Sequence, residues 1–240
     1  MTSAISIKDR LKKQVVAGGK TFQEALTAYG LEQTVYRLSV SEYVERFTLK
    51  GGIFLYALFE GEFARATRDI DLLARNMPNN VENMKKVFEN IFSIECDDAL
   101  RYDLNTLDVT DITEFKEYHG VNVSIMAYLD RTEIPVSIDI GFGDIIYPDR
   151  VKMEFPVLLD MEVPEIYAYS ISSVISEKFE AIVSLVFFKI IHAFFLINPD
   201  LPPTISPYSH KHSYPDKPFP VQYQFPRCSM LSPRETKPGS

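Results

Sequence analysis

The sequence is poor in cysteine, and this excludes one class of architecture. Cys96 and Cys228 are the two cysteines among 240 residues. They are too few for a disulfide framework and stand at no metal-ligand spacing. A reduced, intracellular and therefore cytoplasmic setting is expected. A leader is not expected either. Met1-Thr2-Ser3-Ala4-Ile5-Ser6 has no basic start followed by an apolar stretch, so no signal peptide is expected. Long apolar runs are missing. The most apolar stretch, Ile182 to Ile197, is broken by Ser184, Lys189 and His192, and it is shorter than the roughly 20 residues a bilayer requires. No membrane partner is expected. Excess positive charge is absent: the net charge is −8. That excludes a nucleic-acid binder working by bulk charge, though a local basic groove stays open.

What is present suffices for a core. Hydrophobic residues make up 46% of the chain, and its length allows one or two domains. The first 47 residues read as helices. Thr21-Phe22-Gln23-Glu24 is a capping-box pattern before an amphipathic run from Ala25 to Leu38. A short helical start follows at Ser41–Val44. Phe54 to Phe59 reads as a helix ending near Gly61, and Asp69 to Ala74 as a strand. Val81, Met84, Val87, Phe88 and Ile91 share one side of a helix. Residues 121–125 and 136–140 alternate as strands and predict a hairpin around a turn at Asp130-Arg131-Thr132-Glu133. Ser173 to Leu185 reads as a helix.

The densest information lies in residues 49–71. Gly51-Gly52 precedes Asp69-Ile70-Asp71. Two carboxylates one residue apart project from the same face of a strand, because strand side chains alternate. Such a pair, with room for water and phosphate oxygens, suits Mg²⁺ bridging to a triphosphate. Glycines upstream let backbone approach that phosphate. Arg65, four residues before Asp69, is placed to reach phosphate oxygens. Lys50 has two readings, phosphate ligand or helix-start lysine.

Asp139 is the candidate third carboxylate. Val136, Ile138 and Ile140 face a core while Asp139 and Ser137 face the other way, and Gly141 and Gly143 leave space. A third carboxylate can ligate metal or accept the proton of an attacking hydroxyl. Lys178 falls in the middle of a stripe formed by Ile171, Val174, Ile175, Phe179, Ile182 and Val183. A buried ammonium needs an anionic partner; the alternative is a lysine that snorkels past the helix edge. His119 stands alone and reads as a loop residue.

Beyond Leu185 the character changes. Ten of 15 prolines lie between Pro199 and Pro238, and three of 33 acidic residues follow Leu185. This composition predicts a Pro-rich tail without regular structure; short ligands for aromatic grooves are the alternative.

Five motifs taken together carry a resemblance. They are Arg37-Leu38-Ser39-x-Ser41, Phe47-Thr48-Leu49-Lys50-Gly51-Gly52, Arg65-x-Thr67-Arg68-Asp69-Ile70-Asp71-Leu72, Asp139-Ile140-Gly141-Phe142-Gly143-Asp144 and Glu177-Lys178-Phe179-Glu180-Ala181. In order and spacing they resemble the AbiEii/AbiGii nucleotidyltransferase family, toxins of abortive-infection and toxin–antitoxin systems, over roughly residues 6–185. The resemblance implies an α+β fold. Its core is polymerase-β-like, a small mixed sheet flanked by helices, followed by a helical region. It implies metal binding at Asp69 and Asp71, the third carboxylate at Asp139 and a catalytic lysine at Lys178. Nucleotide binding falls to Lys50, Gly51, Gly52, Arg65 and Thr67. It further implies Mg²⁺, an NTP substrate, an acceptor such as a tRNA end, and a cognate antitoxin.

One departure stands out. The family's further Asp-bearing segment after the Glu-Lys-x-x-Ala helix does not occur here, and Val186-Phe187-Phe188-Lys189 follows instead. The expected organisation is therefore a nucleotidyltransferase domain over 1–185 and an atypical tail over 186–240, read as translated out of frame. The expected function is transfer of a nucleoside monophosphate from an NTP; the alternative is a catalytically dead remnant that binds nucleotide or a partner.

Overall fold

The computed structural model describes residues 2–18, 20–60, 67–112, 120–143, 146–147 and 149–183. Arg65, His119, Asp144 and the segment after 183 therefore lie outside the described residues. The elements run α1 (Ala4–Gly18), α2 (Phe22–Val40), a 3₁₀ turn (Val44–Arg46), β1 (Phe47–Lys50), α3 (Gly51–Leu58), β2 (Ile70–Ala74), α4 (Val81–Phe92), β3 (Leu100–Ile112), β4 (Gly120–Leu129), β5 (Thr132–Phe142), β6 (Val151–Glu154) and β7 (Glu165–Ala168). Residues 171–183 are helical as well.

The seven strands form one sheet in the order β3-β4-β5-β2-β1-β7-β6. Most neighbours are antiparallel, but β2–β5 and β1–β7 are parallel. The sheet is therefore mixed, as expected for a nucleotidyltransferase core, yet larger than the small sheet the sequence suggested. β1, β3, β6 and β7 escape a reading by alternation. β1 is buried on both faces at Phe47, Thr48 and Leu49, β6 and β7 are four residues each, and β3 has a register shift between Asp103 and Asp108. Each condition erases the period-2 signal.

Helix α2 starts as the sequence predicts. Thr21 accepts from the Glu24 N–H and the Glu24 carboxylate accepts from the Thr21 N–H, closing the capping box. The helix lies on β5 at Gly30, where an added Cβ would stand 2.5 Å from the Ile134 Cγ2. α4 starts at Asn80, which caps the Asn83 N–H, and turns Met84, Val87, Phe88, Ile91 and Phe92 inward, with the Phe92 and Tyr102 rings stacked at 4.8 Å.

Arg37 is 2% exposed. It ion-pairs with Asp98 and donates to the Ile94 and Gln33 carbonyls, with its guanidinium 4.7 Å from the Tyr102 ring centre. Asp98 in turn accepts the Leu100 N–H, and Tyr29 donates its hydroxyl to the Asp98 carbonyl. A buried charge pair persists only when its remaining polar atoms are satisfied this way. The Arg37-Leu38-Ser39 motif thus ties α2 to the entry of β3, and its work is architectural.

The expected apolar stripe of the last helix is not buried. Ile171, Ile175, Phe179, Ile182 and Val183 are 50–67% exposed, and only Ser173 and Val174 are buried in this helix among the described residues. The pattern marks a face built for burial, and no described element covers it.

Glu32 is 1% exposed. Its carboxylate accepts from the Leu158 N–H at 2.6 Å and from Gln33 Nε2 at 2.9 Å. Burial pushes its pKa from 4.5 up to about 7, against those two bonds. The folded state holds this proton more tightly than the unfolded chain does. The stability it contributes is therefore complete below about 4.5 and lost as pH rises through about 7, a change of about 3 kcal/mol. Urea unfolding is expected to show a lower midpoint at pH 8 than at pH 5. Glu32→Gln, whose amide oxygen can keep the Leu158 bond, should flatten that dependence. An unchanged slope in the variant would contradict the assignment.

Candidate active site

The site forms where β1 ends and α3 begins. Antiparallel pairing sets Lys50 opposite Asp71. Parallel pairing sets Asp71 opposite Asp139, and the β4–β5 hairpin sets Asp139 opposite Asn122. Residues directly paired across strands project to the same face. Four adjacent strands therefore carry a row of Lys50, Asp71, Asp139 and Asn122. Asp69 immediately precedes β2, and its charge acts on Asp71.

The glycine corner is shaped around Asp71. Gly51 has φ +61°, and a Cβ on it would meet the Asp71 Oδ2 at 2.0 Å. Both backbone handedness and space demand glycine here. The Gly52 N–H donates to the Asp71 Oδ2 at 3.1 Å. Thr67 donates its hydroxyl to the Asp69 carbonyl at 3.2 Å, and its Oγ1 lies 3.3 Å from where a Gly52 Cβ would be. Gly51, Gly52, Thr67, Asp69 and Asp71 thus form one contiguous corner.

Electrostatics mark the same spot. The Asp71 carboxyl is raised, first by burial, then by Asp69 and next by Asp139, while the Gly52 N–H and Lys50 oppose the shift. The charges of Asp69 and Asp139 repel that of Asp71, and a cation relieves such repulsion. The all-oxygen donor set suits a hard divalent ion such as Mg²⁺. The carboxylates do not close on one point: among the described residues no group of three or more His, Cys, Asp or Glu side chains is arranged to hold a metal. The fit is one of donor chemistry: Asp69 and Asp71, the pair expected from the sequence, would hold such an ion, with Asp139 beside Asp71 on the neighbouring strand.

The lysines divide. Lys50 Nζ is 3.1 Å from the Glu177 Oε1 and 5.9 Å from the centre of the Tyr169 ring. Lys178 is exposed. The side chain that the last helix contributes to the corner is therefore Glu177, with Lys178 one residue further on. The Glu177 Oε2 is buried without a hydrogen-bond partner.

Asn122 and Ser137 escape a reading by motif. Asn122 Nδ2 donates to the Asp139 Oδ1 at 2.7 Å and to the Ser137 Oγ at 2.9 Å. The strands pair Leu129 with Thr132, so the hairpin turn contains only Asp130 and Arg131. The longer turn inferred from sequence slides the register by two and moves Asn122 off Asp139. A separate cavity of about 300 Å³, lined in part by Tyr36, Val44, Glu162 and Tyr167, holds none of these carboxylates.

Gly51→Ala should cost at least about 2 kcal/mol in stability, because it adds strain at positive φ to a clash with Asp71. Gly52→Ala, whose Cβ meets Thr67 at 3.3 Å, should cost under about 1 kcal/mol. Thermal unfolding of the two variants checks the contrast, and equal losses would contradict the packing described here.

No curated protein matches the chain. Among solved structures, the crystal structure of JHP933 from Helicobacter pylori matches at TM-score 0.41 with 12% identity, covering 66% of this chain and 56% of that one. The chain thus spans little more than half the length of that protein. The family model described as "Nucleotidyl transferase AbiEii toxin, Type IV TA system" matches residues 33–188, a span that begins within α2 and takes in β1–β7, the glycine corner and all three carboxylates. The chain belongs to the AbiEii nucleotidyltransferase toxin family.

Proposed function

We propose that the chain transfers a nucleoside monophosphate from an NTP to the hydroxyl of an acceptor such as a tRNA end, as the toxin partner of a cognate antitoxin. The observation that carries this reading is the lateral row of Lys50, Asp71 and Asp139 set against the Gly51-Gly52 corner.

In this reading Gly51 and Gly52, at the N-terminus of α3, offer backbone N–H groups to the triphosphate. The Gly52 N–H, which Asp71 accepts in this structure, becomes a phosphate donor as the nucleotide enters. Lys50 exchanges Glu177 for phosphate oxygens, Thr67 adjoins Gly52 at the same corner, and Arg65 would add a further phosphate contact. Mg²⁺ held by Asp69 and Asp71 would neutralise the triphosphate and orient its α-phosphorus. Asp139 accepts the proton of the acceptor hydroxyl, whose oxygen attacks the α-phosphorus while the bond to pyrophosphate breaks. Lys178 neutralises charge developing on the leaving pyrophosphate.

A second reading, nucleotide binding without transfer, is favoured by one observation. The helix that bears Lys178 exposes its apolar face, so among the described residues nothing packs around that face to hold the lysine over the phosphates. No helix of the described residues is long and apolar enough to cross a membrane, and the proposed setting is the cytoplasm.

Incubation with each labelled NTP, Mg²⁺ and total tRNA is the test. The expected result is label on RNA with release of pyrophosphate. Asp71→Asn and Asp139→Asn should each lower the rate by at least about 10³-fold, and Lys178→Ala by about 10²-fold or more. Saturable NTP binding with no labelled product from any RNA would favour the binding-only reading. Full activity in Lys178→Ala would remove that lysine from the mechanism.

A further inference from the structure

We propose that Asn122 is a positioning residue for the carboxylate cluster: its side-chain amide fixes the Asp139 carboxylate and so sets the affinity of the site for a divalent cation. The inference rests on the nucleotidyltransferase reading above and extends it to a residue outside the family motifs.

The geometry is specific. Asn122 sits directly opposite Asp139 on the neighbouring strand. Its two amide hydrogens are divided between the Asp139 Oδ1 at 2.7 Å and the Ser137 Oγ at 2.9 Å. Ser137 and Asp139 lie two residues apart on β5 and share a face. One amide therefore bridges both, and a side chain held at two points loses the freedom to rotate away. Asn122 and Asp139 are half-buried, where such a bond is stronger than in water.

The sheet order gives this bond a direction. β5 lies between β4 and β2, so Asn122 and Asp71 approach Asp139 from opposite sides. Asp71 is a like charge, and the two carboxylates repel one another. An amide donor on the far side draws one oxygen of Asp139 away from Asp71 and compensates part of its charge. The remaining oxygen is then the one free to serve a cation or an acceptor hydroxyl on the β2 side. Partners that orient a ligand in this manner typically alter metal affinity by 10- to 100-fold.

The experiment measures Mn²⁺ binding to the full chain by the loss of the free-ion electron paramagnetic resonance signal. It compares wild type, Asn122→Ala, Asp139→Ala and the double variant, with thermal unfolding recorded alongside. Asn122→Ala should weaken Mn²⁺ binding by about tenfold while its unfolding temperature stays within a few degrees of wild type. In the Asp139→Ala background the same change should have no further effect, because the amide acts through that carboxylate. Asn122→Leu, which keeps the volume and removes the donor, should match Asn122→Ala and replaces it if the alanine variant fails to fold. Wild-type affinity in Asn122→Leu or Asn122→Ala, or an equal loss with and without Asp139, overturns the proposal. No Mn²⁺ binding by the wild-type chain overturns it as well, and in that case the metal-dependent reading falls with it.

Discussion

The parallel pairing of β2 with β5 is the constraint on which the rest of this structure depends. β2 joins two parts of the sheet, with β5, β4 and β3 on one side and β1, β7 and β6 on the other. Its register decides which residues share a row. Because side chains alternate, a slip of one residue would turn Asp71 or Asp139 to the opposite face and bury a carboxylate against the helices. Ile70, Leu72, Ile138 and Ile140, each no more than 1% exposed, guard against that slip. The hydrophobic face and the chemical face are thus fixed by one pairing.

A second constraint holds the helical layer. Arg37 and Asp98 form an ion pair inside the protein, and desolvating two charges is costly unless every remaining donor and acceptor finds a partner. Here the Gln33 and Ile94 carbonyls, the Leu100 N–H and the Tyr102 ring complete it. The result joins α2 to the start of β3. α2 also carries Glu32, whose carboxylate holds the Leu158 N–H in the segment leading to β7. One helix therefore anchors both ends of the sheet, and the glycine corner in its middle inherits their order.

Charge at the corner is deliberately unbalanced. Asp69, Asp71 and Asp139 confront Lys50 and one backbone N–H, and Lys50 is shared with Glu177. The Asp71 carboxyl is half-buried and raised first by burial and then by Asp69, a combination that marks a candidate functional site. The close approach of Gly51 to Asp71 shows the same economy of space, since a side chain there would occupy the carboxylate's position.

Some of this was legible in the residues alone. The capping box at Thr21, the apolar spacing of α4 and the alternation of β4, β5 and β2 are local signals, and each element formed where its pattern lay. Asp69, Asp71 and Asp139 were visible because carboxylates flanked by buried aliphatic residues stand out on a strand. β1, β6 and β7 left no such mark, being short or buried on both faces. The stripe around Lys178 was expected to be buried, but burial is a property of what packs against a helix, and the described residues cover this one only at Ser173 and Val174. What the sequence determined by itself was the chemistry available: which carboxylates, glycines and lysines exist, and on which side of each element they lie. What only the tertiary structure decided was their juxtaposition. The two-residue turn that sets Asn122 against Asp139, and the bond from Glu177 to Lys50, depend on registers and contacts between segments distant in the chain, and no local pattern encodes those distances.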